Sequence, residues 1–183
     1  MISQVIFSVD LSRCINCKTC EMACNEYHGL TDMHRRNVVS YKTEEKEWVH
    51  LSISCNHCAN PVCVSICPEN NFKKRRDGIV VHHADNCRAC MRCIKACPFH
   101  APKLNPRKKR ADKCNLCVER IDRGLKPVCV ENCITKALGI IVVNPDDINN
   151  YAFNNTDIPI KDYTKPSIFV TKKQTGKTFL REC

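Results

Sequence analysis

Glycine is scarce in this chain, five among 183 residues, and no glycine-rich turn of the kind that cradles a dinucleotide pyrophosphate is present. A flavin or nicotinamide enzyme is therefore not indicated. Long apolar runs are missing as well. The longest good stretch, Leu138 to Val143, falls far short of the roughly 20 residues that a membrane-spanning helix needs. The opening, MISQVIFSVDLSR, has no basic segment and places Asp10 within its short apolar stretch, so no secretory signal peptide is expected. No Cys-x-x-Cys pair is followed directly by histidine, which argues against covalently attached c-type haem. Aromatic residues make up 6% of the chain, and none interleaves with the basic runs to form a stacking platform for single-stranded nucleic acid.

Cysteine is abundant by contrast, with 17 residues. They supply much of the hydrophobic count, so the apolar residues left over make a thin core that needs staples. Disulfides would call for an oxidising compartment, and with no export signal expected, metal is the better reading. The chain is organised around Cys87-Arg-Ala-Cys90-Met-Arg-Cys93-Ile-Lys-Ala-Cys97-Pro98. This is the bacterial ferredoxin spacing, in which three closely spaced thiolates wrap one 4Fe–4S cube and the fourth ligates another. Three further groups accompany it: Cys14, Cys17, Cys20 and Cys24; Cys55, Cys58, Cys63 and Cys67; and Cys114, Cys117, Cys129 and Cys133. Sixteen cysteines thus match four cubes. The formal charge of +10 fits the same reading. A cube with its four thiolates carries on the order of −2 when oxidised, and four would bring the sum to roughly +2. No nucleic-acid partner is expected on that ground.

The groups pair by their form. The second and third are close neighbours and both end in Cys-Pro, at Cys67 and Cys97, whereas the first and fourth lack that proline. Each pair also combines one regular group with one expanded group. The expectation is an α+β fold of two nested ferredoxin-like units. Residues 1–44 and 111–143 form the outer unit, 45–110 the inserted inner unit, and 144–183 a C-terminal tail. Cross-ligation then assigns Cys14, Cys17, Cys20 and Cys133 to cluster a, and Cys114, Cys117, Cys129 and Cys24 to cluster b. Cys55, Cys58, Cys63 and Cys97 hold cluster c, and Cys87, Cys90, Cys93 and Cys67 hold cluster d. The competing possibility is four-cysteine zinc sites in a nucleic-acid-binding module. Four cysteines within eleven residues suit three corners of a cube better than an edge of a tetrahedron.

Strands are expected over 4–9, 48–54, 79–82, 138–143 and 167–171, and a short helix over 18–27. Residues 29–47, with His34, Arg35 and Arg36 together, read as a surface excursion or hairpin. Residues 101–110 hold two prolines and the run Arg107 to Arg110, and read as an exposed loop. Gly124 ends a helix that starts near Val118, and Pro127 makes the following turn.

The stretches RCINCKTCEMAC, LSISCNHCANPVCVSICP, RDGIVVHHADNCRACMRCIKACPFHAP and DKCNLCVERIDRGLKPVCVENC resemble the four-cluster electron-transfer subunits of the dimethyl sulfoxide reductase family. The resemblance runs from about Val5 to Val143. It implies a non-catalytic carrier of four 4Fe–4S clusters that docks on a large molybdenum or tungsten bis-pterin catalytic subunit. Such a carrier passes electrons between that subunit and a quinone-reactive membrane subunit or a soluble carrier. A tail of forty residues favours this reading over a polyferredoxin of a hydrogenase or formate-lyase system, because it could wrap a partner. Cytoplasmic folding follows, with the final site cytoplasmic or, docked to a signal-bearing partner, across the membrane and peripheral to it.

Other residues carry two readings. His57, between two ligands, is a hydrogen-bond donor to a cluster sulfur or a turn residue. Lys18, Arg88 and Lys95 beside the ligands are candidates to raise cluster potentials. His82 and His83 read as solvated surface. The runs Lys73 to Arg76 and Arg107 to Arg110 read as a solvated face, or as a docking patch for an acidic protein. Cys183 is the odd cysteine, a free thiol.

Overall fold

A computed structural model describes residues 3–43, 46–144 and 163–171. Its backbone is mixed α and β, with short helices and small sheets. Strand β1 (Gln4–Asp10) lies in the middle of a three-stranded sheet, flanked by β8 (Leu138–Val143) and β9 (Ile168–Thr171). β1 pairs antiparallel with β8, placing Phe7 opposite Ile140 and Val9 opposite Leu138. It pairs in parallel with β9, placing Phe7 beside Ile168. Alternation along β1 sends Phe7 and Val9 into the main core, while Ile6 packs with Val143 in a separate apolar cluster.

Three two-stranded hairpins lie within the same fold: β2 (Asn37–Lys42) with β3 (Trp48–Ile53), β4 (Phe72–Lys74) with β5 (Val80–His82), and β6 (Lys103–Asn105) with β7 (Arg110–Asp112). The last corrects the expectation of a loop over 101–110. Its prolines and basic residues fall at the ends and in the turn, leaving three paired residues on each side. Gly78 makes the β4–β5 turn at φ +84, and the Val5 amide donates to the Asp77 carbonyl at 2.9 Å, which ties this hairpin to β1.

The helices are α1 (Thr19–His28), α2 (Val62–Ser65), α3 (Arg92–Ala96), α4 (Val118–Ile121) and α5 (Val128–Glu131). α1 packs on α5, and α2 on α3. Prolines set several boundaries. Pro61 and Pro127 stand immediately before α2 and α5. Pro98 forces the residue before it out of helical geometry, so Cys97 ends α3 at φ −75, ψ 117.

The C-terminal region differs from a simple tail in its described part. Residues 163–171 return to the body: the Ala59 amide donates to Lys165 O at 2.7 Å, Asn60 to Thr164 O at 3.1 Å, and Ser167 to Asn56 O at 3.0 Å. Thr164, Pro166, Ser167, Ile168 and Val170 are buried there. Wrapping of a partner by the tail concerns residues outside those described, and so does Cys183.

Candidate iron–sulfur centres

Each cysteine group begins with the same backbone device. The residue before the second cysteine takes a left-handed conformation in all four groups: Asn16, His57, Ala89 and Leu116, with φ between 45 and 61. L-residues rarely adopt this region, at a cost of roughly 1–2 kcal/mol each. Its recurrence at one position in four loops marks a shape imposed by a common task. A second left-handed residue lies three places after the last cysteine of groups two, three and four, at Asn70, His100 and Lys136. Backbone N–H groups in and around these loops point at sulfur. Ala111 donates to Cys87 Sγ at 3.4 Å, Asn71 to Cys67 Sγ at 3.5 Å, Leu116 to Cys114 Sγ at 3.4 Å, and Leu138 to Cys133 Sγ at 3.4 Å.

The thiols gather in four neighbourhoods. Burial and then the sulfurs of Cys20, Cys133 and Cys17 push the Cys14 thiol up. Burial, then Cys114, Cys129 and Cys117, push Cys24 up to about 12. Cys63 is pushed to about 12 by burial and by Cys55, Cys97 and Cys58. Cys93 is pushed to about 11 by burial and by Cys87, Cys67 and Cys90. In each set the odd member comes from a different group than the other three. Neighbouring sets also meet, since Cys55 feels Cys114 and Cys129 feels Cys20. Cys17 and Cys90 are exposed, whereas the other ligands are buried or half-buried.

The donor set fits a cube better than a zinc ion. A zinc tetrahedron with bonds near 2.3 Å puts sulfurs roughly 3.8 Å apart. Among the described residues, the one group of three metal-binding atoms all within 4.8 Å of one another is His28, Cys117 and Glu119, with a single sulfur. The four-cysteine sets are wider than that, as a cube with an iron at each corner requires. A cavity lined by Cys55, Cys58, Cys63 and Cys97 also contains orphaned polar groups. Both amide atoms of Asn56 are buried there without a partner, and the Thr164 hydroxyl sits beside the Cys58 sulfur, in keeping with a polar guest.

Several residues around these sets escaped the sequence. Ser52 Oγ lies 3.2 Å from Cys20 Sγ, His28 Nε2 lies 3.4 Å from Cys117 Sγ, and Thr19 donates to Cys17 Sγ at 3.5 Å. Burial, followed by the charge of Arg35, brings His28 down to about 4. Lys113 is buried, and its ammonium donates to the carbonyls of Val80 and Cys114. Arg36 is buried too, against the expectation of a surface excursion at 29–47. Of the candidates Lys18, Arg88 and Lys95, Arg88 turns outward and pairs with Glu69 at 3.2 Å. Long side chains on the outer loops reach solvent, and short buried groups meet the sulfurs.

His57 is fully buried, and its Nδ1 accepts from the Val80 amide at 3.0 Å. Its Nε2 is therefore the protonated nitrogen of the neutral ring, and it is buried without a partner among the described residues. Burial holds this ring well below the ordinary histidine range. His82 corrects the surface reading, because it stacks on Phe72 with ring centres 4.3 Å apart, and burial brings it to about 4. Part of each basic run is engaged within the protein, and Lys73, Arg76, Lys108 and Lys109 are exposed. Lys74 donates to Cys58 O at 2.6 Å, Arg75 binds Asp122 through two nitrogens, and Arg107 pairs with Asp32 at 2.7 Å.

These loops and sulfur sets define a ferredoxin-type iron–sulfur protein. A family profile described as a 4Fe-4S dicluster domain matches residues 46–142, and a second of the same description matches residues 13–71. The sequence is 36% identical to one chain of the anaerobic dimethyl sulfoxide reductase of Escherichia coli (strain K12), over 97% of this chain and 95% of that one. It is 40% identical to one subunit of the tetrathionate reductase of Salmonella typhimurium, over 69% of this chain and 53% of the relative. Formate dehydrogenase-O iron-sulfur subunit of E. coli is 33% identical, over 71% and 50%. This protein belongs to the iron–sulfur electron-transfer subunits of the dimethyl sulfoxide reductase family of molybdopterin oxidoreductases. Its cofactors are 4Fe–4S clusters, and it carries electrons without being the catalytic subunit. Among the described residues no helix is long and apolar enough to cross a membrane.

Proposed function

We propose that the chain holds four 4Fe–4S clusters in series, each by three cysteines of one group and one of its pair. Clusters a to d take the ligands assigned from the sequence. The observation that carries this is the four sulfur neighbourhoods, each drawing its fourth member from another group. The units are nested, a reading supported by β1 and β8 bracketing the sequence between them, by α1 resting on α5, and by α2 resting on α3. Each bound 4Fe–4S cluster supplies one-electron redox chemistry. The protein's part is to hold the sulfurs, to exclude water and to direct N–H groups at them.

Proximity of Cys55 to Cys114 and of Cys129 to Cys20 supports the sequence c, b, a, and the packing of α2 on α3 supports d next to c. The exposed ligands, Cys90 and Cys17, then belong to the two ends of the series. One end serves a large molybdopterin catalytic subunit, and the other a quinone-reactive membrane subunit or a soluble carrier. The names of the relatives support this reading, since each is a subunit or chain of a larger redox enzyme.

Anaerobic purification of the tagged chain from its native host tests it. A large molybdopterin subunit should come along in equal amount, with iron and acid-labile sulfide near sixteen each per chain (about four per cube). Stoichiometric zinc without sulfide would overturn the cofactor assignment. Recovery of the chain alone, or with a hydrogenase, would overturn the partner assignment.

A further inference from the structure

Arg36 is the largest side chain withdrawn from solvent, with 2% of its surface exposed. It precedes β2 and reaches between β1 and β3. Its Nη1 donates to Ser52 O at 3.2 Å and Ser52 Oγ at 3.0 Å, and its Nη2 to Ser54 Oγ at 2.9 Å. Its guanidinium carbon lies 4.4 Å from the centre of the Phe7 ring. All of these partners are neutral. The ion pairs among the described residues go to Arg35, Arg75, Arg88, Arg107, Arg110 and Arg120 instead.

A buried guanidinium cannot shed its proton, and hydroxyl and carbonyl dipoles do not neutralise it. A charge so placed needs a counter-charge nearby. The sulfurs within electrostatic reach of Arg36, anionic once they are cluster ligands, are those of Cys129, Cys114, Cys20 and Cys24. Three of these belong to the cage of cluster b and one, Cys20, to the cage of cluster a. The contact with Cys20 is also chemical. Because Nη1 donates to Ser52 Oγ, the serine's own proton is free to point at Cys20 Sγ, 3.2 Å away.

We propose that Arg36 is a fixed counter-cation shared by clusters a and b, a positioning residue that raises the reduction potentials of both. A cluster that gains an electron becomes more negative, so a cation held beside it in a low-dielectric interior favours the reduced form. One charge serving two cages shifts both potentials in the same direction. It raises the affinity for electrons most at a and b; the same charge also reaches His57 in the loop of cluster c, so c feels it less and d least.

The inference rests on the cluster assignment above. Iron content and single-ligand variants of the otherwise unsubstituted protein test that assignment separately. For the inference itself, the complex carrying Arg36→Gln is purified anaerobically and titrated with EPR detection, each midpoint being assigned by loss of its signal in single-cysteine variants. The reduction constants of a and b should fall by about tenfold, about 59 mV for one electron, with c moving less and d unchanged. Unchanged a and b midpoints, or an equal shift in all four, would overturn the proposal.

Should Arg36→Gln fail to retain its iron, Arg36→Lys decides. It keeps the charge and loses the planar fork to Ser52 and Ser54. Full iron content with a and b near their original midpoints supports a role for charge. Loss of a and b in this variant too, or retention with both midpoints lowered as far as in the tenfold case, refutes it and leaves Arg36 a packing residue.

Discussion

Replacing Cys97 by alanine separates cross-ligation from local ligation. In sequence Cys97 closes the third group, four residues after Cys93. In space it lines the cavity with Cys55, Cys58 and Cys63, and its sulfur acts on Cys55 and Cys63. Cys93 instead answers to Cys87, Cys67 and Cys90. Cys97→Ala should therefore damage the cluster of the second group. Three ligands remain, so the cage either loses its cluster or keeps one iron fewer. Iron should fall from about sixteen to between about twelve and fifteen per chain. The assay is iron and sulfide analysis of the anaerobic complex, with EPR potentiometry of the remaining signals. Cys58→Ala serves as the match, and its spectrum should lack the same signal. A Cys97→Ala protein that instead lost the signal missing in Cys90→Ala would refute the assignment.

Stripping the clusters with a chelator and an oxidant should abolish the folding transition seen by circular dichroism, because Cys20, Cys55, Cys114, Cys129 and Cys133 are themselves part of the main core. A cooperative melt of the stripped chain would contradict this. Leu116→Ala, at a side chain with 0% exposure between Cys114 and Cys117, should cost about 2–5 kcal/mol in anaerobic denaturant titration. Gly78→Ala should cost about 1–3 kcal/mol in the same experiment, since φ is +84 and the new Cβ would crowd Gln4 Oε1. Arg75→Ala, by contrast, should change stability by less than about 1 kcal/mol, its pairs with Asp77 and Asp122 being at the surface.

What the sequence made legible is what spacing and branching encode. The strand at Leu138–Val143 stands at its expected limits because a β-branched run after a turn has few alternatives. The cysteine groups were legible because ligand spacing is itself the shape of the loop. Arg36 was hidden, since three basic residues in a polar stretch read as surface, and the partners that bury the third lie at Phe7, Ser52 and Ser54. His82 was hidden for a similar reason: its stacking partner Phe72 faces it across a three-residue hairpin. Ser52 and Thr164 gave no signal either, because a hydroxyl beside a sulfur is a fact of tertiary packing. The β6–β7 hairpin was obscured by Pro102 and Pro106, which flank β6 without entering it.

The middle position of β1 has a consequence in time. Of the strands described, β1 is made earliest and waits longest, because its neighbours on either side begin at Leu138 and Ile168. Every one of the sixteen grouped cysteines is made before the second edge of that strand can be covered. Completion of the sheet is therefore a late event, dominated by contacts distant in sequence and slow for that reason. Until it happens, β1 keeps one row of backbone groups unpaired. A chain made only as far as Val143 thus carries an open strand edge, and one made past Thr171 carries that strand paired on both sides.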